Sequence, residues 1–334
     1  MLRAVFQFRL IVLLAASVSL ALAAPAQKAV DYQTLGHESF YNLEYEEAIE
    51  ASQGLVNLRP DDPVAFNDLA TAILYKELLR LGKLETKAFK GDNNFLAWDK
   101  PTADPKAKKE FDTALLQGRK VAEAMLQKKP RDARALYALS TNYGLESTYQ
   151  LMVDTSYFGA LRNANQADKY SRQLIDSHPG FVDAYLVAGT HEYVVGSLPW
   201  AVRYMVAIGG LRGSKEKGKE YVRRVAEEGD LARDSARALL VLLLRREQRP
   251  LEAIPVIAGI IRDFPRNYLM HLELAGLYED AGKEDKALDV FREIHAKVKT
   301  NTDRFGRMPA RAQRALARKI AEVEKQIALA SGGS

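Results

Sequence analysis

Ala253 to Ala275 reads A-I-P-V-I-A-G-I-I-R-D-F-P-R-N-Y-L-M-H-L-E-L-A, and Pro265 within it is the origin of a spacing met four times in the chain. The other origins are Pro60, Pro130 and Pro179. Twelve residues before each proline stands a small residue: Ala48, Gly118, Ala167 and Ala253. Five before stands an apolar one: Leu55, Met125, Leu174 and Ile260. Nine after come Leu69, Leu139, Ala188 and Leu274, each followed by a second small residue: Ala70, Ser140, Gly189 and Ala275. A helix that ends at a proline, a tight turn, and a helix with a small residue in its second turn make a helical hairpin. Such hairpins cannot bury their apolar faces alone and stack into a solenoid.

The pattern resembles the tetratricopeptide repeat (TPR), with its small residues at the eighth and twentieth positions and its closing proline at the thirty-second. The resemblance implies an all-α, right-handed superhelical solenoid of about six units, in which each unit touches only its neighbours. The units fall at about 29–62, 63–132, 133–181, 182–231, 232–267 and 268–301. A capping helix follows at about 308–329 and a frayed tail at 331–334. Units two to four exceed the usual 34 residues, and the surplus falls between their two helices: Gly82 to Pro105, near Gly144 to Gly159, and Gly196 to Gly213. Insertions at corresponding points emerge on one edge, where they would form a rim or lid. The third is apolar, from Leu198 through Trp200 to Ile208, and is expected to pack on the solenoid or to meet a partner.

In the capping helix, Leu316, Ile320, Val323 and Ile327 step by helical turns and form one apolar stripe. Arg307, Arg311, Arg314 and Arg318 repeat the same steps about half a turn away. They read as a solvated outer face, or as a docking stripe for an acidic partner or anionic lipid.

Arg3 and Arg9 flank a charged start, Leu10 to Leu22 carry no charge, and Ala21 and Ala23 form an A-x-A-like site. These are the marks of a signal peptide over residues 1–23, cleaved after Ala23, with no transmembrane anchor left in the mature chain. The mature product is expected in the bacterial periplasm or outside the cell. The chain has no cysteine, which excludes disulfides, thiolate sites and lipidation of the cleaved terminus. Removing the leader takes away two arginines and no acid, leaving 46 basic against 43 acidic side chains. A balance of +3 predicts no nucleic-acid partner.

The sequence carries no motif of a catalytic residue, metal site or cofactor. His191-Glu192 opens like a zinc-protease motif, but Val195 stands where the second histidine belongs, and His37-Glu38 meets Tyr41 in the same way. No serine sits in G-x-S-x-G. Gly213 to Glu220 fits the spacing of a phosphate loop, yet Glu220 replaces the magnesium-binding hydroxyl, so Ser214 reads as the cap of a helix. Asp92-Asn93-Asn94 lacks the alternating carboxylates of a calcium loop. The chain is read as a non-enzyme.

The TPR resemblance also implies that ligand contacts come from the first helix of each unit. The matching positions are His37, Phe40 and Tyr41 in the first unit, and Asn67, Thr71 and Tyr75 in the second. They continue with Tyr137 and Thr141 in the third and Thr190 and Tyr193 in the fourth. Aromatic bodies with polar tips suit a peptide or small molecule. The five places of a peptide-carboxylate clamp hold Gln33, His37, Asp68, Arg134 and Ala138, of which only Arg134 fits, so that specificity is rejected. The implied function is a scaffold that binds another protein or a peptide in its concave groove. Gly209 to Lys217 is also similar to an inserted turn of TPR accessory proteins in TRAP-type solute uptake systems. Those proteins are commonly lipidated, unlike this chain, and the likeness implies the alternative of a small-molecule-binding accessory.

Overall fold

The computed structural model describes residues 31–84, 102–198 and 212–331. The chain divides after Tyr32 into two compact units, of which the second, Gln33–Ser334, carries the helical stack. The leader and its cleavage site at Ala23, the Asp92–Asn94 turn and the apolar run from Trp200 to Ile208 all lie outside the described residues.

The described residues are helical throughout, without strands, and pair in sequence order. The hairpins are α1 (Tyr32–Tyr41) with α2 (Tyr45–Leu58), α3 (Pro63–Arg80) with α4 (Pro105–Lys128), and α5 (Ala133–Met152) with α6 (Tyr157–Ser177). They continue with α7 (Ala184–Gly196) and α8 (Lys215–Glu228), α9 (Arg233–Arg246) and α10 (Pro250–Asp263), and α11 (Tyr268–Asp280) and α12 (Glu284–Thr300). The helix α13 (Ala310–Ser331) packs on α12 as a cap. Six helical hairpins and a capping helix make a TPR-like solenoid.

The four prolines act alike. Helices α2, α4, α6 and α10 end two residues before Pro60, Pro130, Pro179 and Pro265. The residue before each proline, Arg59, Lys129, His178 or Phe264, leaves the α region, as the proline ring requires. Its N–H donates to the carbonyl of Leu55, Met125, Leu174 or Ile260, which is the recurring apolar position. In two of these cases the next helix starts on an aspartate cap. Asp62 accepts from Val64 N–H at 3.1 Å, and Asp132 from Arg134 and Ala135 N–H at 3.1 Å. Ser214 caps α8 by accepting from Lys217 N–H at 3.3 Å.

The small residues are where helices touch. Ala48, Ala70, Ser140, Ala167, Ala253 and Ala275 are all at most 1% exposed. Ser140 Oγ donates to the carbonyl of Ala167 at 3.0 Å, tying α5 to α6 through their two small positions. Gly189 and Gly218 bring α7 and α8 so close that a Cβ on Gly218 would stand 2.6 Å from the Gly189 carbonyl. The surplus of the third unit is not a loop: α5 runs unbroken through Gly144 to Met152 and α6 begins at Tyr157, so the extra residues lengthen both helices. The first and third surpluses do fall between helices, at α3–α4 and α7–α8, and residues 85–101 and 199–211 lie outside the described residues.

Candidate functional site

Residues singled out by repeat spacing meet on α1, α3 and α5, with α9 against α1, on the side that the repeat resemblance implies is the inner face. On α1, His37 and Tyr41 are four residues apart and share one side. Both reach a helix nearly two hundred residues away. His37 Nε2 lies 3.0 Å from Asp234 Oδ2, and Tyr41 and Ser235 share a hydrogen bond of 2.6 Å. Tyr41 stacks on Phe264 at 4.9 Å, and its carbonyl accepts from Asn267 Nδ2 at 2.6 Å. Arg266 donates its backbone N–H to Asn42 at 3.0 Å and its guanidinium to Glu44 at 3.1 and 3.0 Å. Arg304 adds a third contact to Glu44, at 2.7 Å. The first hairpin is therefore joined to the fifth and sixth and to the segment before the cap. The expectation that each unit touches only its neighbours fails here, because α1 and the α1–α2 turn carry polar groups that complement the α10–α11 turn.

On α3, Asp68, Thr71 and Tyr75 fall on one side. Tyr75 is half-buried and meets Phe40 edge-on at 5.1 Å, with Phe40 in turn 5.0 Å from Tyr41. Opposite them on α5, Tyr137 packs against Phe181 at 5.3 Å and hydrogen-bonds Thr141. Burial raises the phenols of Tyr41 and Tyr137 well above the ordinary range and shifts that of Tyr75 upward too, so they stay neutral. Asp68 is exposed. Desolvation, and then the negative charge of Asp62, push its carboxyl up to about 7, against smaller opposing effects of Arg134 and His37. Burial also opposes ionisation of Asp234, but hydrogen bonds from His37 and Arg237 outweigh it and hold that carboxyl below the ordinary range.

Of the sequence-derived contacts, His37, Phe40, Tyr41, Tyr75, Tyr137 and Thr141 converge on this face. Asn67 does not: it is 2% exposed, donates to the Ala138 carbonyl at 2.8 Å and accepts from Asn142 at 3.0 Å. Tyr193 is 3% exposed and packs in the core with Val222 and Val225, because it follows the close Gly189–Gly218 contact. Thr71 and Thr190 donate their hydroxyls to the carbonyls of Asn67 and Leu186 in their own helices, at 2.7 and 2.8 Å. Arg134 clamps Asp62 through two hydrogen bonds, of 2.7 and 2.5 Å, and offers nothing to a peptide carboxylate. Sequence reasoning missed Asp234, Ser235, Arg266 and Arg304, which no local pattern marks.

Elsewhere, a cleft of about 510 Å³ lies between Gly196–Leu198 and Gly213–Glu216. The Ser214 N–H there donates to Glu192 at 3.1 Å and Lys217 pairs with the same carboxylate at 3.1 Å, so the phosphate-loop spacing offers no free cradle. His191 is built into the same network, 3.7 Å from Asp168 and 3.2 Å from Asn165. Among the described residues no cluster of three or more His, Asp or Glu side chains is placed to hold a metal. On the outer stripe, Arg307 pairs with Glu47 at 3.2 Å, whereas Arg311, Arg314 and Arg318 are exposed with no acidic partner among the described residues.

No family model matches the chain, and no curated protein matches it. It is similar to solved structures at low identity, two among them being the following. The yeast Tom70 crystal structure shares 11% identity at a TM-score of 0.27, over 88% of either chain. The crystal structure of the P58(IPK) TPR domain shares 14% at a TM-score of 0.26, over 89% of this chain and 98% of that one. At these scores neither likeness informs on function, which leaves the residues of the inner face to speak for themselves.

Proposed function

We propose that this protein is a non-catalytic scaffold that binds a segment of another protein, or a peptide, on the inner face of its hairpin stack. The observation that carries the reading is the row of half-exposed rings, Phe40, Tyr41, Tyr75 and Tyr137, on three successive first helices, beside an accessible carboxyl at Asp68. Large flat side chains with polar tips give contact area at small entropic cost, as binding surfaces require. Charge balance speaks against nucleic acid, and among the described residues no helix is long and apolar enough to cross a membrane. The leader-like residues 1–23 support export with cleavage after Ala23. N-terminal sequencing of the native protein tests this, with Ala24 expected first and Met1 overturning it.

A photo-crosslinking residue placed at position 75, with another at exposed Lys109 for comparison, tests the scaffold reading in cells. The expected result is a discrete protein adduct from position 75 that Tyr137→Ala suppresses, and none of that size from position 109. Equal adducts from both positions would refute the inner face as the site. A second reading has one observation in its favour. The bridges His37–Asp234 and Tyr41–Ser235 join α1 to α9 across this face, which suits a small-molecule accessory of a solute uptake system. Native mass spectrometry would then find a stoichiometric small ligand on the purified protein.

A further inference from the structure

We propose that the outward side of the capping helix α13 is an electrostatic docking line for an anionic membrane surface, formed by Arg311, Arg314, Arg318 and Lys325. It does not rest on the inner face.

Steps of three, four and seven put these side chains on one line of the helix, about 21 Å long at about 1.5 Å per residue. All four are exposed. The opposite side of α13 is taken. Leu316 and Val323 are 3% and 0% exposed, and Ile320 and Ile327 join them in the cluster that holds Phe291 and Ile294 of α12. The line therefore points away from the stack. Arg311 lies over Gly82, where a Cβ would stand 2.8 Å from its Nη2, so the line begins beside the α3–α4 turn.

The acids of α13 do not neutralise it. Glu322 lies 3.5 Å from Lys319, and Glu324 lies 2.7 Å from Arg292. Among the described residues none of the four cations has an acidic partner. Just before α13 the rule is the reverse, with Arg304 held by Glu44 at 2.7 Å and Arg307 by Glu47 at 3.2 Å. Arg307 thus leaves the stripe read from the sequence, and Lys325 extends it at the far end. Exposed arginines without an acidic partner occur elsewhere, such as Arg131, Arg162 and Arg233, but each stands alone on a different element.

The neighbours of the line decide what it meets. Ala315, Ala317 and Ala321 are exposed beside it and supply no ring or branched chain, whereas protein interfaces concentrate their energy in large buried anchors. An anionic bilayer needs no such anchor, because each arginine or lysine near its surface adds attraction by itself. The apolar side of α13 is used up in the stack, so the helix lies on headgroups without its apolar stripe entering the acyl region. Only Leu329, 68% exposed in the last turn, is large and apolar on the outward side. Binding of this kind is weakened by salt.

Flotation of the full chain with vesicles tests the proposal, comparing phosphatidylcholine alone with phosphatidylcholine carrying one-quarter phosphatidylglycerol. The neutral vesicles account for apolar adsorption by the uncharged run Leu10 to Leu22, so the difference between the two reads charge. An excess on the anionic vesicles is expected, and raising NaCl from about 50 to about 500 mM should remove it. Arg311→Ala, Arg314→Ala and Arg318→Ala together should lower partition onto anionic vesicles about a hundredfold, or about fivefold for each charge. The matched triple Arg131→Ala, Arg162→Ala and Arg233→Ala removes the same charge and should lower it less than about fivefold. Arg311→Lys, Arg314→Lys and Arg318→Lys together should bind like wild type, since a charged surface does not read the guanidinium fork. No excess on anionic vesicles overturns the proposal, and so do equal losses in the two alanine triples. A lysine variant as weak as the alanine one also overturns it, and gives the line to a protein partner that reads guanidinium. If circular dichroism shows the α13 alanine triple unfolded, Arg314→Ala alone replaces it, with a loss of about fivefold expected and no loss overturning the proposal.

Discussion

Asp68 and Arg245 show opposite ways of keeping charge in a helical stack. Asp68 has its carboxyl raised from the ordinary 3.8 to about 7. A raised acid favours the folded state while it is protonated, so its contribution is present below about pH 4 and is lost as pH rises through about 7. Asp68→Asn should therefore be more stable than wild type at pH 8, by about 1 kcal/mol once solvent screening is allowed for, with the gap closing toward pH 4. Urea titrations at the two pH values check this, and an equal gap at both would show that the carboxyl is not desolvated. Arg245 is the reverse case, a guanidinium only 3% exposed between Glu273 and Asp280, each at 2.7 Å. Burial alone would favour its neutral form, but the two carboxylates outweigh it and raise its pKa. Arg245→Ala strands a buried Glu273 and should cost about 3–5 kcal/mol. Chemical denaturation reads this loss, and a loss below about 1 kcal/mol would mean that water replaces the arginine.

At the scale of the element, the turns inside the hairpins follow one rule that the prolines do not announce. Among the described residues, five hairpins carry a left-handed residue between their helices: Leu43, Gly82, Thr155, Gln248 and Gly282, with φ of +62°, +68°, +53°, +58° and +66°. Only two of the five are glycine, so Gly82 and Gly282 were readable as turn positions in the sequence and the other three were hidden behind side chains that rarely adopt this conformation. The closing prolines and buried small residues were legible because each answers a local constraint, a missing N–H or a close helix contact. The fate of the third surplus was not, since Gly144 sits in a helix with open space around it and breaks nothing. The turn rule makes a paired prediction. Gln248 is exposed, so Gln248→Gly should stabilise the protein by about 0.5–1 kcal/mol. Gly282→Ala meets no neighbour within 4 Å, yet should destabilise by about 1 kcal/mol through its backbone alone. Melting temperatures of the two variants should move in opposite directions, and movement in the same direction would leave the turn geometry without energetic weight.

For the whole molecule, the decisive contacts join residues 194 to 260 apart: Tyr41 to Ser235, Asn42 to Arg266, Glu44 to Arg304. None was legible, since a serine, an arginine or an asparagine carries no mark of a partner so distant, whereas repeat spacing marked Phe40, Tyr41, Tyr75 and Tyr137 as one set but wrongly put the buried Tyr193 among them. The apolar packing follows the same path. Leu43 and Leu79 pack on the cluster of Tyr268, Phe291, Phe305 and Leu316, which also seats the cap. Glu44, 5% exposed, gathers Arg266 and Arg304, and Arg304 reaches it from a left-handed backbone at φ +59°. In a solenoid held only by neighbours, a lesion in the first hairpin frays that end and leaves distant hairpins protected. Here the first hairpin covers the α10–α11 turn, so its loss should be felt there. Glu44→Ala leaves two guanidinium groups without their shared carboxylate and should cost about 2–3 kcal/mol. Hydrogen exchange locates the damage. Faster exchange is expected at the amides of Arg266 and Asn267 and in the first turn of α11 as well as in α1 and α2, with α5 and α6 unchanged. If the loss of protection stops at α2, the closure carries no stability and the molecule behaves as a simple stack of neighbours.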